Sequence, residues 1–147
     1  MKYTKEDQLR KKIVELKAKK KEPTMAQLKK IVQRKVNEYV RLRDKKLPCI
    51  SCGRRGVAID AGHYVAQGSS GLLRYELDNL NGQCQKCNRF LHGNLIEYRI
   101  GLVKRIGILQ VEWLEKHRHD IKKWTREELN EILSDTKELI RVINLSK

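Results

Sequence analysis

Four cysteines in two close pairs constrain this chain more than any other feature. Cys49 and Cys52 form the first Cys-x-x-Cys knuckle, Cys84 and Cys87 the second, with 31 residues between Cys52 and Cys84, and there is no other cysteine. Four thiolates satisfy the tetrahedral preference of Zn²⁺. Nothing resembles a signal peptide, and no apolar run approaches the ~18–20 residues a membrane span needs. The chain is therefore expected in the cytoplasm, with no membrane partner. In that reducing compartment, paired cysteines read as a metal site rather than as disulfides. A structural zinc held by Cys49, Cys52, Cys84 and Cys87 has no open coordination position, so it staples the fold and does no chemistry.

The staple has a small body to hold. With 147 residues, 39% hydrophobic and 35% charged, the chain suits one modest core with helical extensions. Its net charge of +15 is unevenly placed: residues 1–47 carry 17 Lys+Arg against 6 Asp+Glu, whereas residues 111–147 carry 8 of each. Such a basic block is the footprint of a polyanionic partner. It points to nucleic acid ahead of the blander reading, a solvated lysine-rich helix face.

Hydrophobic spacing predicts a mostly helical chain. Residues 4–21 read as a helix carrying Leu9, Ile13 and Leu16, ending in the basic run Lys17 to Lys21. Pro23 interrupts it. Thr24 and Gln27 form a capping box opening a helix to about Lys46, with Leu28, Ile31, Val32, Val36, Tyr39 and Val40 on one face. Val57 to Val65 reads as a short strand and Leu80 to Cys84 as its return strand, with Leu72 to Leu77 irregular. A helix is expected from Lys86 through Ile106, kinked or restarted near Gly93 and Asn94, and a further turn or two from Val111 to Lys116. Thr125 and Glu128 form a second capping box, opening a terminal helix. The expected division is a basic helical arm over 1–47, a zinc-bound core over 48–107 and a helical region over 108–147.

Between the knuckles lie residues suited to chemistry. His63 ends the predicted strand, where an imidazole can act as a general base, and Asn79 is positioned to orient it. Asp60 and Asn88 offer hard oxygen ligands for Mg²⁺. His92 falls four residues after Asn88, on the same face of an unbroken helix. Arg54, Arg55, Arg74, Lys86 and Arg89 are candidates for phosphate contact.

These residues carry a family resemblance. The order knuckle, strand ending in His, Asn, knuckle, helix resembles the ββα-metal (HNH, His-Me finger) nucleases, and Cys84 to Asn88 is similar to recombination endonuclease VII. Arg41-Leu42-Arg43-Asp44, Leu47 to Gly53, Ala61-Gly62-His63-Tyr64, Gln83-Cys84, Cys87-Asn88, Gly93-Asn94-Leu95, Tyr98-Arg99, Arg105-Ile106-Gly107 and Trp124-Thr125 resemble the phage NinG (Rap) recombination proteins. The likeness covers about residues 38 to 130. It implies an α+β, mostly α-helical fold, with a small zinc-bound ββα-metal (HNH-like) core flanked by N- and C-terminal helices. A phage origin would make the compartment the host-cell cytoplasm.

The resemblance also implies an activity: an endonuclease that binds and cleaves branched DNA, including Holliday junctions and D-loops. His63 would be the general base, Asn79 would hold its imidazole, and Asn88 would bind a catalytic Mg²⁺ or Mn²⁺. Apart from the resemblance, the residues offer His92 as a further ligand, Asp60 if the strand is bulged or the loop curls, and Asp78 as a fallback. Two departures stand out. Gly62 occupies the position before the His where many HNH enzymes place Asp. His92 stands where a small polar residue is expected. Two nicks on opposed strands need two sites, so a homodimer is expected, joined through the apolar faces of residues 24–46 or 125–143. The alternatives are a non-catalytic zinc module that binds nucleic acid, and a protein whose terminal helices recruit other recombination factors.

Overall fold

The structure is a computed structural model describing residues 4–18 and 22–146. Helix α1 spans Lys5–Ala18. Its Leu9, Ile13 and Val14 are exposed, so its apolar spacing builds no core. The side chain of Leu16 and residues 19–21 of the expected helix lie outside the described residues.

Helix α2 spans Met25–Arg43, and its predicted capping box is present. The Thr24 hydroxyl accepts from the Gln27 backbone N–H at 3.2 Å, and the Gln27 carbonyl oxygen accepts from the Thr24 N–H at 2.9 Å. Strand β1, Ile59–His63, pairs antiparallel with β2, Leu80–Cys84, in an unbroken register from Ile59 opposite Cys84 to His63 opposite Leu80. The period of two puts Ala61, His63, Leu80 and Gly82 on the face toward α2, and Asp60, Gly62, Asn81 and Gln83 on the other. Two 3₁₀ turns, Leu72–Tyr75 and Leu77–Asn79, occupy the stretch expected to be irregular.

The helix expected from Lys86 is broken near Gly93 and Asn94, where the sequence allowed a restart, and Asn94 caps the new helix. Lys86–Phe90 forms one wide π-helical turn, and His92, Gly93 and Asn94 then take φ of 48°, 89° and 43°. Left-handed backbone in three successive residues stops a right-handed helix. Helix α3 restarts at Leu95–Ile106, α4 follows over Ile108–Lys116, and α5 spans Arg126–Leu145 behind the predicted Thr125–Glu128 box.

The core has two lobes. Leu28, Val32, Val36 and Val40 of α2 pack with Tyr75, Leu80 and Leu129 of α5. Beyond the sheet, Ile50, Val65 and Leu73 pack with Tyr98 and Leu102 of α3 and Val111 and Leu114 of α4. Each such side chain contributes ~1.5–3 kcal/mol by leaving water. Residues 47 and 107 thus mark changes of element, while the core runs across both. Gly101 allows the close approach of α3 to the first knuckle, because a Cβ there would run into the Ile50 carbonyl.

This packing corrects the expected dimer seam. The apolar face of α2 is spent within the chain, as is the first half of α5, where Leu129 is buried and Ile132 and Leu133 pack on the same lobe. Leu139, Val142 and Leu145 at the far end of α5 remain exposed. Among the described residues, no helix is long and apolar enough to cross a membrane.

A buried carboxylate locks the two lobes together. Asp44, 1% exposed, accepts from Arg43 at 2.7 and 2.9 Å, from the Gly82 N–H at 2.7 Å and from Arg105 at 3.2 Å. It therefore joins the end of α2, strand β2 and α3.

Candidate active site and metal centre

The knuckles meet as predicted. The Sγ atoms of Cys49, Cys52, Cys84 and Cys87 all lie within 4.8 Å of one another. Gly53 and Gly56, with φ of 70° and 67°, supply the left-handed turns that fold the first knuckle back. Tetrahedral Zn–S bonds of ~2.3 Å place sulfurs about 3.8 Å apart; Cys52 and Cys84 Sγ are 3.7 Å apart. The Cys84 N–H donates to Cys49 Sγ at 3.3 Å, and the Asn94 amide donates to Cys87 Sγ at 3.5 Å. Burial pushes the Cys49 thiol up and the Cys87 thiol up to about 12. At Cys52 burial also acts upward, but hydrogen bonds from the Arg54 backbone and the neighbouring thiols bring the group down to about 7. Four thiols this close shed their protons together only when a cation offsets their charge. The all-sulfur donor set fits a metal such as zinc.

Beside this centre a cleft of about 610 Å³ opens along the edge of β1. His63, Asn88 and His92 all line it, together with Asn37 of α2, Tyr64 and Gln67 after β1, and Glu115, Arg118 and His119 at the end of α4. Three of the residues singled out from the sequence therefore share one cavity. His92 reaches it from a left-handed turn, not from a shared helix face with Asn88.

His63 is half-buried, and its Nε2 lies 3.1 Å from the Arg74 carbonyl oxygen. A carbonyl only accepts, so Nε2 carries the proton and Nδ1 keeps its lone pair. Burial chiefly holds this imidazole below its ordinary value; the hydrogen bond to the Arg74 carbonyl acts upward, and the positive Arg74 side chain acts downward by less. The shift favours the neutral ring, the form in which Nδ1 can accept a proton.

Asn79 does other work than expected. Its amide accepts from the Val65 N–H at 2.8 Å and donates to the Val65 and Leu73 carbonyls at 2.9 and 3.0 Å. All three bonds go to backbone and none to His63. Asn79 pins the loop whose next residue, Arg74, holds the imidazole.

Asp60 is also placed differently. The regular register keeps it on the sheet face opposite His63, and it does not line the cleft. Its carboxylate accepts from Arg89 at 2.9 and 3.2 Å and from Asn88 Nδ2 at 3.1 Å. That last bond turns the Asn88 amide so that its Oδ1 is the atom left for a hard cation. Asp60 is thus a positioning residue for Asn88, and Arg89 is its counter-ion. Asp78 does not line the cleft.

The glycine before His63 has a steric reason. A Cβ at Gly62 would run into Gln83 Oε1. The Gln83 amide is fixed there by donating to Ser51 Oγ at 2.7 Å and to the Gly93 carbonyl at 2.5 Å. An aspartate before His63 has no room in this chain.

Of the phosphate candidates, Arg54, Arg55 and Lys86 are exposed and outside the cleft, while the Arg74 side chain lines a neighbouring groove. The sequence reading missed the α4 wall. Glu115 accepts from Tyr64 Oη at 2.6 Å and from Arg99 at 2.6 and 3.2 Å, tying α4 to β1 and α3. Tyr64 and Glu115 are 51 residues apart, so no local spacing announces the pair. The His117-Arg118-His119-Asp120 run was the one visible signal, a cluster of polar groups directly after a helix.

Comparison with known proteins places the chain. Curated relatives include protein ninG of Salmonella phage P22, 39% identical over 119 residues that cover 80% of this chain and 58% of that protein. Protein ninG of Escherichia phage lambda is 38% identical over 119 residues, covering 80% and 58%. That of Escherichia phage 933W is 38% identical, covering 80% and 59%. The chain spans less than two thirds of the length of these curated relatives. No solved structure matches it. The family model described as Bacteriophage Lambda NinG protein matches residues 1–145, beyond the span the sequence motifs mark, and the chain belongs to the NinG family.

Proposed function

We propose that this protein is a metal-dependent endonuclease acting on branched DNA, such as Holliday junctions and D-loops, through a zinc-stapled HNH-like ββα core. The observation that carries the reading is His63: a neutral, oriented imidazole in the same cleft as Asn88 and His92. The order of β1, β2 and α3 around the four-cysteine centre supports the same reading.

The chemistry follows from the residues. The Arg74 carbonyl holds the Nε2 proton, so Nδ1 of His63 takes a proton from water as the water oxygen bonds to phosphorus. The P–O3′ bond breaks, and the leaving oxygen is protonated from solvent. Asn88 Oδ1, oriented by Asp60, and the His92 imidazole would hold Mg²⁺ or Mn²⁺. When bound, that cation supplies charge stabilisation on the scissile phosphate and the leaving oxygen. Asn79 keeps the loop in place throughout.

Paired nicking of opposed strands calls for two sites, and so for a homodimer. Leu139 and Val142, exposed toward the end of α5, are the apolar side chains of the expected seam available to form it. The test is cleavage of a labelled four-way junction beside a linear duplex of the same sequence, in Mg²⁺ and in EDTA. Mg²⁺-dependent cutting of the junction ahead of the duplex supports the proposal. Binding of both with no cutting in Mg²⁺ or Mn²⁺ rejects it in favour of a binding module.

A further inference from the structure

A second groove, of about 340 Å³, adjoins the cleft. Asn37 and Gln67 line both, so the two cavities meet along those residues. Lys30, Arg34 and Arg41 of α2 and Arg74 supply its charge, and no carboxylate lines it.

The arrangement is built into the α2 sequence. Positions 30, 34, 37 and 41 recur at i, i+4, i+7 and i+11, which is one stripe on a helix. The opposite stripe holds Leu28, Val32, Val36 and Val40 in the core. From residue 30 to 41 the stripe runs ~16 Å along the axis at ~1.5 Å per residue. Measured along a duplex axis, that length corresponds to about five base-pair steps at ~3.4 Å of rise each.

The cations of α2 divide by role. Lys35 pairs with Glu38, and Arg43 pairs with Asp44. Lys30, Arg34 and Arg41 are exposed and make no ion pair among the described residues. Arg74 is held ready: its Nε donates to Gln33 Oε1 at 3.3 Å, and its guanidinium lies 5.5 Å from the Tyr75 ring centre. Its own carbonyl fixes His63, so a single residue spans the groove and the cleft. Uncompensated like charges in a row are favourable only against a polyanion.

We infer that this groove binds the sugar–phosphate backbone of the DNA strand that continues out of the cleft. The direction of the strand rests on the nuclease reading; the binding itself does not. The test is therefore made in EDTA, without cleavage. Affinity for a fluorescent linear duplex and a fluorescent four-way junction is measured across a salt series. Wild type is compared with K30Q/R34Q/R41Q and with K104Q/K123Q/K137Q. The control triple removes the same charge from exposed positions outside the groove. Exposed lysines and arginines on helix faces tolerate glutamine, so both triples keep the fold.

On the duplex, the groove triple should flatten the log–log salt slope by about 2.7, at ~0.9 for each lost phosphate contact. The control should change it by less than a third of that. An unchanged slope in the groove triple, or equal loss in the two triples, overturns the inference. A selective loss in a wild-type protein that never cuts DNA would keep the groove and reject the nuclease.

Discussion

The Nε2 of His63 lies 3.1 Å from the backbone carbonyl of Arg74, so a main-chain group decides which imidazole nitrogen is free. Main-chain groups move only with their loop. This loop is fixed by Asn79, which is fully buried and makes three hydrogen bonds to Val65 and Leu73. The residue expected to touch the imidazole controls it from one step away.

Asn79→Ala should therefore act on both stability and the base. It strands the Val65 N–H and carbonyl, while the Leu73 carbonyl keeps the Glu76 N–H, at ~1–3 kcal/mol for each stranded group that finds no water. Urea denaturation should show a loss of about 3 kcal/mol once partial rehydration is allowed for. A loss below about 1 kcal/mol would mean the loop is held by something else.

His63 should titrate below 6.5, its ordinary value, because burial opposes the charged form. The sign follows directly: the folded value is depressed, so the stability linked to His63 is full above 6.5 and is lost as pH falls through the folded value. The pH–rate profile of any cleavage should show its acidic limb set by the same group, because protonation of His63 removes the base. NMR titration of the ring protons measures it; a midpoint above 6.5 contradicts the burial argument.

Asp44 should be among the most sensitive positions in the chain. Its burial acts to raise its pKa, but the guanidinium of Arg43, the Gly82 N–H and Arg105 outweigh that and hold it below 3.8. Asp44→Ala leaves two arginines without their shared partner, at ~3–5 kcal/mol for a broken buried pair. The contribution is full above about pH 4 and disappears as pH falls through the lowered folded value. Denaturation of wild type and variant at pH 7 and near pH 2 should show the gap closing in acid. A gap that stays constant would sink the ion-network account.

The knuckles should bind one zinc per chain. Cys87→Ser, or chelation, should unfold the sheet and α3 together, because a structural zinc supplies on the order of 10 kcal/mol of folding free energy. Elemental analysis with circular dichroism before and after chelator measures both. Retention of the fold in a zinc-free protein would refute the staple.

Much of this fold was legible, and for identifiable reasons. Both capping boxes rest on a local rule, in which residues three apart decide the outcome, and the four-cysteine cluster rests on the donor count a tetrahedral metal needs. The break after Phe90 rests on His92, Gly93 and Asn94 in left-handed backbone, a conformation that Gly93 and Asn94 advertise and His92 does not. The misplaced roles of Asn79 and Asp60 have one physical origin. The sequence offers Asp60 as a hard oxygen ligand and Asn79 as the amide between the knuckles, whereas strand register and loop backbone decide where an amide or carboxylate is spent. Asp44 sits in a motif of the family resemblance, and so does Arg105; only the fold shows that the two motifs meet.

The central claim is that His63 is the base of a metal-dependent nuclease, and one comparison addresses it directly. Wild type and His63→Ala are assayed for binding and cleavage of a four-way junction in Mg²⁺. The account predicts unchanged binding and a cleavage rate reduced by ~10²–10⁴-fold, the range a positioned general base contributes. Equal cleavage by the two proteins, or no cleavage by wild type, would contradict it.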